Sequence, residues 1–215
     1  MPLQILQGRP SGDAASSAAF DRCARQSRVA AGDEIFAQDS DATRYYRLVR
    51  GLVRSTRLWP DGCRQIGEFY FPGDMFGLAV GPRRRQAAEA VTDCEVWSVE
   101  RRGLSDTAAG ALIERLVWTV TSQQLEAAQE RMLSLARRNA CEKVAFFLME
   151  IARRDEGSWA KLPMCRQDIA DHLGLTIETV SRMLTQLQQD GRVTLEGSRR
   201  FRITPFGPLA DDLAA

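Results

Sequence analysis

The sequence predicts an α+β chain: an N-terminal domain of many short strands, one long helix, and a small C-terminal domain built on a helix-turn-helix with a wing. Three observations carry this. From about Val29 to Val99, short apolar or alternating runs such as "AGDEIF", "PDGCRQIGEFY", "FPGDMFG" and "CEVWSVE" are separated by turn signals. From about Leu112 to Arg137 no strong breaker interrupts a helical period. Residues 165–184, "CRQDIADHLGLTIETVSRML", then hold two short helical patterns with a glycine between them.

Composition bounds the function. The 215 residues allow one large domain or two modest ones, and 44% hydrophobic content is enough for a real core. A formal net charge of +1 means that any attraction for nucleic acid must be local. The five cysteines, at 23, 63, 94, 141 and 165, are odd in number and contain no CxxC pair, as expected for unpaired thiols in a reducing cytoplasm. The start "MPLQILQGRPSGDAASS" lacks the basic and apolar regions of a signal peptide, and "VAFFLMEIA" at 144–152 is too short to span a bilayer. A cytoplasmic protein with no membrane partner is expected. No paired-carboxylate motif, metal-ligand spacing, nucleophile elbow or phosphate loop is present, so no catalytic or metal residue is assigned and the chain is not read as an enzyme.

Taken in order, residues 1–18 are rich in Gly, Pro, Ser and Ala and read as a flexible arm. Residues 19–108 form the β-domain. Within it "PDG" marks a hairpin, because Pro60 fixes one turn angle while Gly62 accepts a positive one, and "PGD" at 72–74 marks another turn. A barrel or roll fits this texture, as does a sandwich. Residues 109–138 form the long helix. Ile113, Leu116, Val117 and Val120 mark one face, continued by Gln124, Ala128, Met132 and Leu135, and so long a stripe is read as a dimer seam. Packing of the helix wholly on its own domain is the plain alternative. Residues 139–215 form the C-terminal domain, opened by the apolar helix "EKVAFFLMEIARR".

In the helix-turn-helix, Ile169 and Leu173 form the buried stripe of the first helix, Gly174 makes the turn and Thr176 caps the second helix. Val180, Leu184 and Leu187 point inward, which leaves Ile177, Glu178, Ser181 and Arg182 outward near the N-terminal half, the part that enters a major groove. Arg182 can donate twice to guanine, Glu178 can accept from cytosine N4, and Ser181 can serve either sense. Arg166, Thr176 and Thr179 stand where they would hold phosphates. "GRVTLEGSRRFRIT" alternates like a hairpin, and its Arg199, Arg200 and Arg202 would make a basic wing. Alone, Glu178 and Arg182 would read as a solvated i,i+4 ion pair; with glycine, cap and wing in order, double-stranded DNA is the better partner. Cys165, beside Arg166 at the start of the first helix, is a redox candidate, since its oxidation would set fixed negative charge against DNA phosphates. An inert, space-filling cysteine is the alternative.

This layout resembles the CRP/FNR transcription regulators over roughly residues 25–205. "LPMCRQDIADHLGLTIETVSRML" is most similar to the FixK-type branch, and Glu178, Ser181 and Arg182 match its E-x-x-S-R base-reading triplet. The resemblance implies a cyclic-nucleotide-binding-like jelly roll, a homodimer and RNA polymerase as a partner. It also implies a TTGAT-like half-site and control of low-oxygen or nitrogen-oxide-linked genes. The cAMP-receptor branch has arginine where this chain has Ile177, and glycine where it has Ser181. A cyclic-nucleotide site of the family needs Gly-Glu and then Arg-Ser or Arg-Thr. Here Gly77-Leu78 lacks the carboxylate, and Arg83, Arg84 and Arg85 lack a hydroxyl partner; the run reads as solvated surface, with attraction of some other anion as the alternative. Only Cys23 lies near the N-terminus, which does not fit a four-cysteine iron–sulfur cluster. The sole histidine, His172, falls in the DNA-binding half, away from any haem pocket. No cofactor is therefore expected. The competing reading is a regulator of the same fold whose DNA binding depends on haem, nitric oxide or another small molecule.

Overall fold

The computed structural model describes residues 13–155 and 157–204. They form two compact units, with the division falling inside the long helix between residues 126 and 127.

The first unit begins with α1 (Ala14–Cys23). Eight strands follow: β1 (Arg25–Val29), β2 (Glu34–Phe36), β3 (Arg44–Arg50), β4 (Val53–Leu58), β5 (Arg64–Tyr70), β6 (Met75–Phe76), β7 (Ala87–Ala90) and β8 (Cys94–Glu100). They make two four-stranded antiparallel sheets, in the orders β1-β8-β3-β6 and β2-β7-β4-β5. The "PDG" hairpin joins β4 to β5, with Gly62 at φ +81° and its N–H donating to the Trp59 carbonyl at 2.9 Å. The "PGD" turn places Gly73 at φ +96°. Between the sheets Leu48, Val53, Phe76, Ala88, Ala90 and Val96 are buried together.

The expected arm over residues 1–18 is corrected at its end, because helix begins at Ala14; residues 1–12 lie outside the described residues. The run of small residues that suggested a loose segment is good helix-forming sequence once capped. Asp13 provides the cap, accepting from the Ser16 N–H at 2.6 Å, and this bond holds its carboxyl below the usual range. Phe20 is fully buried on the same face as Ala19, and Arg47 of β3 stacks on its ring at 4.6 Å while pairing with Asp21 at 2.5 Å.

Helix α2 (Ala108–Arg137) follows β8. At Gly110 a Cβ would collide with the Leu104 carbonyl oxygen, so only glycine lets the helix leave the roll so closely. Ile113, Leu116 and Val120 are fully buried in a core with Ala19, Phe20, Met75, Val99 and Leu104, and Val117 packs at its edge. The seam expected on these residues is thus corrected: they face their own β-domain, where each fully buried aliphatic side chain contributes about 1.5–3 kcal/mol. Gln124 also turns to this side, its Nε2 donating to the Met75 carbonyl at 2.9 Å. Another stripe is left exposed, with Ala111, Trp118, Leu125 and Met132 at intervals of seven and Ala128 among them.

The second unit holds α3 (Ala140–Ala152), β9 (Ala160–Lys161), α4 (Arg166–Leu173), α5 (Ile177–Gln189), β10 (Val193–Glu196) and β11 (Arg200–Ile203). Asn139 and Glu142 cap α3 reciprocally, each side chain accepting from the other's backbone N–H. Val144, Phe147, Leu148 and Ile151 of α3 are buried, as are Ile169 of α4, Val180, Leu184 and Leu187 of α5, and Phe201 of β11. The wing is three-stranded, in the order β10-β11-β9; a two-residue strand such as β9 carries no alternation to read. No helix among the described residues is long and apolar enough to cross a membrane.

Candidate nucleic-acid interface

The helix-turn-helix assembles as its sequence dictates. Gly174 ends α4 in the left-handed conformation at φ +65°. Thr176 caps α5: its Oγ1 accepts from the Thr179 N–H at 3.3 Å and lies 3.1 Å from the Thr179 hydroxyl. Ile177, Glu178 and Arg182 are exposed and Ser181 is half-buried, so all four outward positions lie in the first two turns of α5. Glu178 has its carboxyl held below the usual range, first by its own backbone N–H and then by the Thr176 hydroxyl. These causes are local and do not involve Arg182 one turn on. Glu178 is thus an acceptor-only carboxylate at neutral pH, and Arg182 a donor-only guanidinium.

Arg166, the first residue of α4, reaches across to α5, where its Nη1 donates to the Ser181 Oγ at 3.1 Å. Sequence spacing could not show this, because fifteen residues and a turn separate the pair. Cys165 is the exposed N-cap of α4, and its backbone N–H donates to the Asp168 carboxylate at 3.4 Å. His172 is half-buried against the ring of Phe147, at a centroid distance of 5.6 Å.

In the wing the basic residues are not equivalent. Arg199 precedes β11 and donates to the Pro163 carbonyl at 3.4 Å. Arg200 is exposed but pairs with Glu196, its cross-strand neighbour, at 2.7 Å. Arg200 and Arg202 both lie over Trp159, at 5.7 and 5.2 Å from its ring centre. A lone tryptophan in the turn "DEGSW" gave no hint of that platform.

The β-domain holds its own surprise. Arg83 and Arg85 are exposed, but Arg84 is only 3% exposed, which corrects its reading as solvated surface. It stacks on Phe36 at 3.8 Å and donates to the Gly77 and Arg44 carbonyls at 3.2 and 2.8 Å. Burial draws its pKa down. Leu78 packs at the edge of the core shared with α2. The five cysteines are all free thiols, with Cys94 buried and its pKa raised by that burial. Among the described residues no cluster of histidine, cysteine and carboxylate side chains could hold a metal ion.

A two-sheet roll, a long helix and a winged helix-turn-helix with a polar reading face define a bacterial-type transcription regulator, and comparison with known proteins agrees. Residues 26–109 match the cyclic nucleotide-binding domain family and residues 142–210 the Crp-like helix-turn-helix domain family. The chain belongs to the CRP/FNR family of transcription regulators, not to an enzyme family. Within it the chain is of FixK type. It is 41% identical to the nitrogen fixation regulation protein FixK of Azorhizobium caulinodans over 86% of this chain and 82% of that one. Identity to FixK of Rhizobium meliloti is 38%, over 80% and 79% respectively. The structure of FixK2 from Bradyrhizobium japonicum superposes with a TM-score of 0.81 at 42% identity, covering 89% of this chain and 98% of that one.

Proposed function

We propose that the protein acts in the cytoplasm as a homodimer that reads a palindromic TTGAT-like operator and works with RNA polymerase on low-oxygen or nitrogen-oxide-linked genes. The observation that carries the reading is the face of α5, where a carboxylate, a hydroxyl and a guanidinium project from the first two turns. Arg182 would donate to guanine O6 and N7, Glu178 accept from the paired cytosine N4, and Ser181 meet a thymine. Arg166, Thr176, Thr179, Arg199 and Arg200 would hold phosphates and so set register. Arg200 must trade Glu196 for phosphate to do so, an exchange between exposed partners worth at most about 1 kcal/mol.

The homodimer rests on the exposed stripe of Ala111, Trp118, Leu125, Ala128 and Met132. Large apolar side chains repeating every seven residues are what a two-stranded coiled coil places in its seam. A two-fold dimer would set two α5 helices into successive major grooves, hence the palindrome. The names of the FixK relatives support control of nitrogen-fixation genes or related ones. Selection of binding sites from random duplex DNA tests the reading: palindromic TTGA-type half-sites are expected, and TGTGA half-sites would refute it.

A further inference from the structure

Ser181 has the least defined part in this interface, since a hydroxyl can donate or accept. A hydroxyl on a helix usually turns back to the carbonyl four residues earlier. Thr185, one turn on, does this, its Oγ1 donating to the Ser181 carbonyl at 3.1 Å. The Ser181 hydroxyl meets the Arg166 guanidinium of α4 instead, at 3.1 Å. Guanidinium groups only donate, so in this bond Ser181 must accept, and its single proton is left for another partner. We infer that Arg166 is a positioning residue for base readout: by occupying one lone pair of the Ser181 hydroxyl it turns the proton outward and biases Ser181 toward donation to an acceptor on a base edge such as thymine O4.

The inference rests on the proposed recognition face and deepens it. It tilts an ambivalent serine toward acceptors over the amino groups of adenine and cytosine, since its proton is free while one of its two lone pairs is taken. It also gives one side chain two tasks, because the guanidinium has five N–H donors and the Ser181 bond uses one. Four others remain to serve a phosphate, so phosphate register and base reading become linked through Arg166. Lysine would keep the charge but not the rigid fork that serves two directions at once.

The test compares Arg166→Lys, Arg166→Ala, Ser181→Ala, the Arg166→Ala/Ser181→Ala double variant and Arg182→Ala in the full chain. Affinity is read by fluorescence anisotropy on the operator, on the three changed base pairs at the Ser181 position and on unrelated DNA, across salt concentrations. Arg166→Lys keeps the charge, so its loss of affinity for unrelated DNA should be smaller than that of Arg166→Ala. It should nevertheless lose about fivefold of preference at the base pair that Ser181→Ala affects, as expected for one hydrogen bond. The double variant should show the Ser181→Ala preference and no further loss. If both Arg166 variants weaken all sequences alike with that preference intact, Arg166 is a phosphate contact only and the inference is overturned. If Ser181→Ala and Arg182→Ala themselves leave every preference unchanged, the recognition face falls and the inference falls with it.

Discussion

Trp118 and Ile113 stand five residues apart on α2 and should fail in opposite ways. Trp118 is 75% exposed and Ile113 is fully buried. Covering that fraction of a side chain of about 250 Å² removes about 190 Å² from water, or about 5 kcal/mol per protomer as an upper bound. Association returns only part of such area as affinity, so Trp118→Ala is expected to weaken the dimer by about 3 kcal/mol, roughly a hundredfold in Kd. The fold should hardly notice, because little of this side chain is buried within the chain. Ile113→Ala should instead destabilise the β-domain by about 2–5 kcal/mol through the cavity it leaves, lowering Tm by roughly 10 °C or more. Sedimentation velocity over a concentration series and urea melts of both variants separate the two effects. A Trp118→Ala protein that sediments like the natural one, or an Ile113→Ala protein that dissociates with an intact melt, would refute the assignment of faces.

The base-reading face makes further predictions. Arg182→Ala should lose about 1–3 kcal/mol and relax preference at the guanine, whereas Arg199→Ala should weaken binding to every sequence and flatten the salt slope by about one. Because the folded-state pKa of Glu178 is lowered, it stays ionised as pH falls through the ordinary carboxylate range. Preference at its cytosine should therefore hold from about pH 8 to about pH 5, and a loss near the unperturbed carboxylate value would contradict this. Its small contribution to stability is present above the unfolded pKa and fades only as pH falls through the lowered folded value. Calorimetric titration with cAMP should show no saturable micromolar site, since Leu78 offers no acceptor and Arg84 donates to backbone carbonyls. Peroxide should weaken DNA binding of the natural protein more than that of Cys165→Ser; equal sensitivity would move any oxidative effect to another cysteine.

Much of this architecture could be read from residue order because the strongest signals were local. Gly62, Gly73 and Gly174 each sit at the positive φ their turns require, and Thr176 caps the helix it was expected to cap. The long helix was legible for the same reason, but its inward face was not. Ile113, Leu116 and Val120 spell an apolar stripe whether they meet their own sheets or another copy, and periodicity cannot name the partner. Helix α1 was missed because alanine and serine are ambiguous until a cap and a packing partner are known, and Phe20 meets its partners from distant strands. Arg84 looks like surface within "RRR"; only the fold sets Phe36 and Tyr46 around it. The link from Arg166 to Ser181 likewise needed the angle between two helices, which spacing does not encode.

The seven-residue interval from Ala111 to Met132 has a geometric consequence for the proposed dimer. A straight α-helix makes slightly less than two full turns over each seven-residue interval, so the stripe drifts by about 20° with each interval. Over the three intervals between those residues it would wander by about 60°, enough to carry Met132 off a partner that faces Ala111. Two copies can keep the whole stripe in register only by winding around each other to the left.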